Sequence, residues 1–274
     1  MRPRADVSAS RLAKSSRDGH QPCMTDAIHF VASTTATAAL ARADLIARYG
    51  QTPVDKAKVI VALGGDGLML ATLHARHGLP VYGMNRGTVG FLMNDYVADA
   101  LPERLAVAEA TVIHPLSMTA ETIDGRQHNA VAINEVALLR AGPQAARLQI
   151  SVNGRVRMEE LVCDGALLST PAGSTAYNYS AHGPILPLES DVLALTAIAA
   201  FRPRRWHGAI LPDTARLRFD ILEPDKRPVM ADADSRGVEQ VLWVEVTSDR
   251  EVSHRLLFDP GHGLDERLMR EQFV

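Results

Sequence analysis

An aspartate stands inside a glycine-rich loop, Gly64-Gly65-Asp66-Gly67. Glycines let backbone N–H groups come close to a phosphate, and the N-terminus of a following helix favours an anion. A carboxylate in such a loop repels phosphate, so Asp66 needs a different task. It either binds a cation that bridges phosphates or accepts a proton from an attacking hydroxyl group. The plainer alternative is an aspartate that caps a tight turn.

The neighbouring residues argue against two familiar nucleotide-binding loops. No Gly-Lys-Ser or Gly-Lys-Thr follows the loop, so it is not a Walker A loop. Leu70 stands where a dinucleotide-binding fingerprint has Gly or Ala. Gly64, Gly65 and Gly67 therefore remain candidate phosphate-binding or ATP-binding residues without belonging to either motif.

A second polar segment runs from Asp164 to Ser180 and is rich in Ser and Thr, with Gly173 at its expected bend. Small hydroxyl groups and exposed backbone N–H groups can hold a polar ligand without charge, and Tyr177 offers a flat face for an aromatic base. An ordinary Ser/Thr-rich loop is the alternative. A serine-hydrolase site is poorly supported, because Gly173-Ser174-Thr175-Ala176 does not match Gly-x-Ser-x-Gly.

The pair Asn134-Glu135 interrupts an otherwise apolar run, AVAINEVALL. Polar side chains in a buried strand are costly unless they are bonded, so the pair either contacts a ligand or marks a sheet edge. His74 and His77 are three residues apart and could ligate a metal together. Ordinary surface positions on a helix are the favoured interpretation of these two histidines.

The elements around the first loop alternate between strand and helix. Short apolar runs at 27–32, 58–63 and 80–84 predict strands, and the 58–63 run is apolar throughout, which is typical of a parallel strand buried on both faces. Helical segments follow each run, the last over 97–110. This alternation predicts a doubly wound α/β domain with a parallel sheet over residues 24–110. Residues 1–23 have no such pattern and are expected to be a disordered tail or a mis-assigned start.

From residue 111 the pattern changes to period two, which predicts a mostly antiparallel β domain over 111–257. Asn153-Gly154 is expected to form the turn of a hairpin. The final segment, 258–274, is expected to pack back on the first domain, with a helix over Gly263–Phe273.

The composition excludes several classes of protein. The chain has 274 residues, 46% of them hydrophobic, which rules out a disordered or collagen-like chain. The net charge is −3, whereas a generic binder of nucleic acid or of an anionic membrane is normally basic, so neither partner is expected. Two cysteines cannot form a disulfide framework or a clustered zinc site. No apolar run approaches the roughly 18 residues of a membrane-spanning helix.

In this order, the polar segments resemble the NAD kinase family. The segments that carry the resemblance are Gly64–Gly67, Gly83–Leu92, Asn134-Glu135 and Asp164–Gly183. The last of them is highly specific, whereas the first alone also resembles loops of diacylglycerol-type lipid kinases and phosphofructokinases. Arg202–Trp206 and Phe258–His262 are similar to the alphaproteobacterial members.

The resemblance implies ATP-dependent phosphorylation of the 2′-hydroxyl group on the adenosine ribose of NAD, giving NADP and ADP. It also implies a divalent cation (Mg²⁺ or Mn²⁺), a cytoplasmic location and a homo-oligomer, either a dimer or a tetramer. A GGDG-type kinase acting on a lipid or a sugar is the alternative function. A dinucleotide sensor without turnover is a third.

By the same resemblance, Asp66 is the general base and also contacts the substrate, with Gly67 beside it on the nucleotide. Asn134 and Glu135 hold the substrate near its ribose and adenine. The resemblance implies further NAD-binding residues, some of them supplied by a neighbouring subunit: Asp164, Ala172, Thr175, Ala176, Tyr177, Asn178, Tyr179, Ser180 and Ala199.

The chain departs from the family pattern at three places. Leu68 replaces the Thr that commonly follows GGDG, and Ala172 stands where many members have Thr or Ser. Neither change removes a titratable group. At 231–235 the sequence Ala-Asp-Ala-Asp-Ser replaces an Asp-Gly pair, so the sequence alone leaves open whether Asp232 or Asp234 is the equivalent acid.

Overall fold

A computed structural model describes residues 27–75, 77–88 and 90–261. Strands and helices alternate up to residue 113, as the sequence predicts. These elements are β1 (Ile28–Ala32), α1 (Ala36–Tyr49), β2 (Val59–Gly64), α2 (Asp66–His74), β3 (Val81–Asn85), α3 (Leu101–Val107) and β4 (Glu109–Ile113). Every residue of β2 is buried, as expected for a central parallel strand. The side chain of Thr35 caps α1, and Gly50 with φ 78° ends it.

Strands dominate the rest of the described chain. They are β5 (Leu116–Thr122), β6 (Gln127–Ala132), β7 (Glu135–Arg140), β8 (Ala146–Val152), β9 (Arg155–Cys163), β10 (Gly165–Ser169), β11 (Val192–Ile198), β12 (Gly208–Pro212), β13 (Leu217–Ile221), β14 (Val229–Ala233), β15 (Arg236–Val238), β16 (Val241–Ser248) and β17 (His254–Phe258). A short helix, α4 (Tyr177–Ser180), interrupts them. Asn153 and Gly154 both have positive φ, which confirms the predicted hairpin turn between β8 and β9.

The first sheet has the order β1-β2-β3-β17-β4. β1, β2, β3 and β17 run parallel, and β4 pairs with β17 in the antiparallel sense. Leu45 of α1 and Leu105 of α3 pack in the apolar cluster on one face, whereas Met69 and Leu73 of α2 pack in the cluster on the other. Helices on both faces confirm the doubly wound α/β fold.

Two strands extend this first sheet beyond the segment that the sequence assigns to it. β4 ends at Ile113, and β17 inserts between β3 and β4, so the boundaries expected at 110/111 and 257/258 fall inside strands. The helix expected over 97–110 is shorter, because residues from Glu109 onward pair with β17 instead. Both the segment 1–23 and the helix expected over 263–273 lie outside the described residues.

The second domain is a sandwich of two antiparallel sheets, which confirms the predicted β-rich domain. Their strand orders are β12-β11-β10-β7-β14-β15 and β6-β5-β16-β13-β8-β9. Apolar side chains from both sheets form one buried cluster, with Leu138 and Leu168 from the first sheet and Phe219 and Val244 from the second. Alternate residues face this core, as sheet-on-sheet packing requires.

A further apolar cluster joins the two domains. Leu73 of α2 and Leu92 of the first domain pack with Ile133, Ala172 and Leu188 of the second. The carboxyl edge of the parallel sheet therefore lies against the start of β7 and the end of β10. Among the described residues, no helix is long and apolar enough to cross a membrane.

Candidate active site

Asp66 lies at the carboxyl end of β2, in the first turn of α2. The N-cap position belongs to Gly65, so the Asp66 side chain does not cap its own helix. Instead, one carboxylate oxygen accepts the backbone N–H of Phe91 at 3.0 Å, and the other accepts that of Leu92 at 2.9 Å. Both oxygens are thus held in place by a second loop, at the sheet edge where ligands bind in open α/β folds.

The segment after β3 packs directly on the glycine-rich loop. The N–H of Arg86 donates to the carbonyl oxygen of Gly64 at 2.7 Å. A side chain at Gly87 would approach the Cα of Gly65 to 3.5 Å. Space is open where side chains would stand at Gly65 and Gly67. A ligand can therefore reach the backbone of this loop from outside.

Asn134 and Glu135 lie at the start of β7, on the second domain. The Oδ1 atom of Asn134 and the Oε2 atom of Glu135 are buried and have no hydrogen-bond partner among the described residues. Burial raises the pKa of Glu135 to about 8, with further contributions from the negative charges of Asp234 and Asp232. A hydrogen bond from the backbone N–H of Tyr177 lowers the pKa of Glu135. These surroundings therefore favour the protonated form of Glu135.

Asp234, to which the sequence analysis assigns no role, contacts the residues of this pair. Its carboxylate accepts the backbone N–H groups of Ile133, Asn134 and Glu135. It also lies 2.9 Å from Nε2 of His74. His74 is therefore not the ordinary surface residue that the sequence suggested, because its side chain is only 12% exposed. The Ala-Asp-Ala-Asp-Ser segment was the available signal, but only the fold distinguishes Asp234 from Asp232.

The hydroxyl-rich segment begins by packing on the backbone of Asn134. The hydroxyl of Thr170 donates to the carbonyl oxygen of Ile133 at 2.7 Å. The backbone N–H of Thr170 donates to the carbonyl oxygen of Asn134 at 2.9 Å. A Cβ atom at Gly173 would lie 2.2 Å from the Asn134 carbonyl oxygen. Only glycine allows the two backbones to come this close.

This packing brings several of the predicted site residues together around one small cavity of about 190 Å³. Its lining residues are Asp66, Phe91, Leu92, Asn134, Ala172, Thr175 and Ala176. Both domains contribute to the lining. Asp66 from the first domain thus shares this lining with Asn134 from the second, whose Oδ1 has no hydrogen-bond partner among the described residues.

The remaining residues of the segment have different surroundings. Asn178 is buried and supports the loop, since its amide group donates to the carbonyl oxygens of Ser174 and Pro184 and its Oδ1 accepts the hydroxyl of Thr196. Tyr179 and Ser180 are exposed. Burial, followed by the charges of Glu135 and Asp164, raises the pKa of Tyr177. The negative charges of both carboxyl groups therefore act on the phenol of Tyr177.

Asp164 and Ala199 lie away from the cavity of their own chain. Ser169 at one end of β10 pairs with Glu135, whereas Asp164 precedes the other end. Five residues of extended chain span about 17 Å. The Asp164 carboxylate pairs with Nε of Arg140 at 2.7 Å. The backbone N–H of Asp164 donates to the carbonyl oxygen of Ile198, which is next to the exposed Ala199. The structure thus divides the predicted NAD-binding residues into two groups.

Comparisons with known proteins identify the family of this chain. Models of the ATP-NAD kinase N-terminal and C-terminal domains match residues 20–107 and 133–247. The NAD kinase of Cereibacter sphaeroides (strain ATCC 17025 / ATH 2.4.3) is 68% identical over 249 residues, which cover 90% of this chain and 98% of that protein.

Two solved structures share the fold. One is a yeast NADH kinase complexed with NADH, with a TM-score of 0.76 and 19% identity, covering 90% of this chain and 86% of that one. The other is an NAD kinase from Archaeoglobus fulgidus in complex with ATP, with a TM-score of 0.68 and 22% identity, covering 90% of this chain and 96% of that one. From the two matched domains and the identity over nearly the whole of both chains, the protein belongs to the NAD kinase family.

Proposed function

We propose that Asp66 is the general base in the transfer of the γ-phosphoryl group of ATP to the 2′-hydroxyl group on the adenosine ribose of NAD, giving NADP and ADP. The observation that supports this role is the fixed carboxylate of Asp66 facing the cavity between the domains. Phosphoryl transfer mainly needs positioning and charge neutralisation, and a carboxylate beside the acceptor hydroxyl supplies a proton acceptor.

The second domain supplies the binding groups for the acceptor. Asn134 Oδ1 and Glu135 Oε2 are buried and unpaired within the described part of the chain, so donors or acceptors on a ligand would satisfy them. A protonated carboxyl group has one donor and one acceptor side by side. This pattern is complementary to the edge of adenine that carries the amino group and an adjacent ring nitrogen. We therefore assign Glu135 to the adenine and Asn134 to the ribose.

The donor enters on the other side of Asp66. Gly64, Gly65 and Gly67 lie where the free N–H groups at the start of α2 can meet phosphate oxygens. Within the described ranges, no group of three or more His, Cys, Asp or Glu side chains could hold a metal ion. Mg²⁺ in kinases usually keeps several waters and is held largely by substrate phosphates, so it does not require such a cluster. A divalent cation, Mg²⁺ or Mn²⁺, bound by the phosphates of ATP would neutralise their charge.

The separation of Asp164 and Ala199 from the cavity supports a homo-oligomer, a dimer or a tetramer. Both residues lie at the end of β10 and β11 that is remote from Asp66, and Ala199 is exposed there. In an assembly, a second copy can bring this pair to the far end of the dinucleotide. The family resemblance also supports a cytoplasmic location.

A panel of acceptors with γ-labelled ATP and Mg²⁺ tests the function. NAD should become labelled and NADP should form, whereas a diacylglycerol and a hexose should stay unlabelled. Label on the lipid or sugar would favour the alternative GGDG-type kinase. Binding of NAD by calorimetry without any transfer of label would identify a dinucleotide sensor.

A further inference from the structure

We propose that His74 and Asp234 form a positioning pair that sets the distance between Asp66 and the acceptor-binding residues Asn134 and Glu135. This inference rests on the function proposed above. Neither residue of the pair is assigned to touch the substrate. Their side chains meet across the two domains, with His74 Nε2 at 2.9 Å from Asp234 Oδ2. Exposed fractions of 12% and 2% mark this as a buried contact, which solvent screens little.

On the second domain, Asp234 determines where the acceptor-binding backbone lies. Three consecutive N–H groups, those of Ile133, Asn134 and Glu135, converge on its carboxylate. Charge-assisted hydrogen bonds of this kind are roughly twice as strong as neutral ones. Asp234 itself is held with φ 47°, in the left-handed region that Asp tolerates better than most residues. A shift of this carboxylate would therefore move the unpaired side chains of both Asn134 and Glu135.

On the first domain, α2 connects the same carboxylate to the base. Asp66 begins α2 and His74 ends it, so one helix carries the base and the histidine about 12 Å apart. Met69 and Leu73 anchor the helix in the cluster that joins the domains. We therefore expect α2 to move as a single rigid unit. The contact between His74 and Asp234 therefore fixes the base relative to the acceptor site.

Apolar packing between the domains cannot supply this precision alone, because it is not directional. Among the described residues, Asp234 is the one carboxylate that bonds both the Asn134-Glu135 backbone and a side chain of α2. Loss of His74 leaves the three backbone bonds of Asp234 in place but releases the end of α2. Acceptor affinity and turnover should therefore suffer, whereas the glycine-rich loop that receives ATP keeps its own contacts.

The test compares His74→Ala with His74→Gln, whose amide can still donate to Asp234. The control is His77→Ala, at an exposed histidine beyond the end of α2. We expect His74→Ala to raise KM for NAD about tenfold and to lower kcat, with KM for ATP changed less than about twofold. His74→Gln should bring both KM for NAD and kcat most of the way back to the wild-type values. His77→Ala should have the same kinetic constants as the wild type.

A lower Tm for His74→Ala with kinetic constants equal to those of His77→Ala would overturn the proposal, since the pair would then be only structural. An equal rise in KM for NAD and for ATP would also overturn it. If His74→Ala does not fold, His74→Asn replaces it, because its shorter side chain cannot reach Asp234. A wild-type protein that makes no NADP would contradict the proposed function instead, and that result is obtained before any variant is compared.

Discussion

Two regions meet at the cavity, and they differ in how their polar groups are satisfied. On the first domain, both oxygens of the Asp66 carboxylate accept backbone hydrogen bonds from Phe91 and Leu92. On the second domain, Asn134 Oδ1 and Glu135 Oε2 are buried without a partner in the described structure. The Asp66 carboxylate is thus fully hydrogen-bonded in the free protein, whereas the Asn134-Glu135 pair is not.

The difference indicates a division of labour. A group that is already fixed needs no reorganisation during the reaction, which favours catalysis. A buried polar atom without a partner costs about 1–3 kcal/mol, and a ligand that bonds it recovers this free energy. The first domain is therefore expected to supply the chemistry, and the second the affinity for NAD.

The largest effect is expected for Asp66→Asn. The amide cannot accept the proton of the attacking hydroxyl, so kcat should fall by about 10²–10⁴. The NH₂ group of the introduced asparagine cannot accept a hydrogen bond, so one of the backbone N–H groups of Phe91 and Leu92 loses its acceptor. This loss should lower the free energy of unfolding by about 1 kcal/mol. The dissociation constant for NAD, measured by calorimetry, should change less than about tenfold.

Asp55→Asn, at an exposed acid in a short helical turn, is the matched control and should leave kcat unchanged. Near-normal turnover of Asp66→Asn would show that the carboxylate only holds the loop at Phe91 and Leu92. A large loss of NAD affinity with unchanged turnover at saturation would reverse the division between the two regions.

Asn134→Leu should weaken the binding of NAD without lowering the stability of the free protein, the reverse of what is expected for Asp66→Asn. Leucine has a similar volume but no polar atom, so the free protein should be as stable as the wild type or more stable. NAD should bind about 5–150-fold more weakly, because a hydrogen bond worth about 1–3 kcal/mol is lost. Thermal unfolding and calorimetry of the same samples measure both quantities. Asn129→Leu, at an exposed position of β6, should leave NAD binding unchanged; an unstable Asn134→Leu with normal affinity would contradict the ligand role.

The pH dependence of stability should report on Glu135. Its pKa of about 8 in the folded protein lies above the usual value for Glu, so folding keeps a proton that the unfolded chain releases. Stability should therefore fall as pH rises from about 4.5 to about 8, and this slope should be weaker in Glu135→Gln. Above that range the variant should be more stable by at least about 1 kcal/mol, or about 2–4 °C in Tm. Parallel Tm curves for the two proteins between pH 5 and pH 9 would count against a buried, protonated Glu135.

Dilution is expected to have the smallest effect. If a second copy brings Asp164 and Ala199 to the dinucleotide, specific activity should fall a few-fold as the oligomer dissociates. Light scattering at each concentration gives the assembly state, and a coupled NADP assay gives the activity. Full activity in a proven monomer would mean that one chain completes the site alone.

The sequence predicts the local features of this protein well. The apolar run before Gly64 places Asp66 at the end of a buried strand, and Asn153-Gly154 forms the expected turn, because both depend on neighbouring residues. The Asn134-Glu135 pair stands out for the same reason, as polar residues in an apolar run.

Features that depend on distant residues could not be predicted. Most of β17 lies in the segment expected to belong to the antiparallel domain, yet its pairing with β3 and β4 takes it into the first sheet. That pairing also shortens the helix before Glu109, since tertiary contacts override helix propensity. The contact between His74 and Asp234 joins residues 160 positions apart, and no periodicity in the sequence marks it.

The most direct test of the account offers the enzyme NAD and 2′-deoxy-NAD, which differs only by the acceptor hydroxyl group on the adenosine ribose. With γ-labelled ATP and Mg²⁺, NAD should receive label on the 2′-oxygen, as located by phosphorus NMR of the product. The deoxy analogue should bind competitively with NAD and receive no label. Transfer of label to the deoxy analogue, or label on any other oxygen of NAD, would contradict the assignment of Asp66 and the cavity around it to this hydroxyl group.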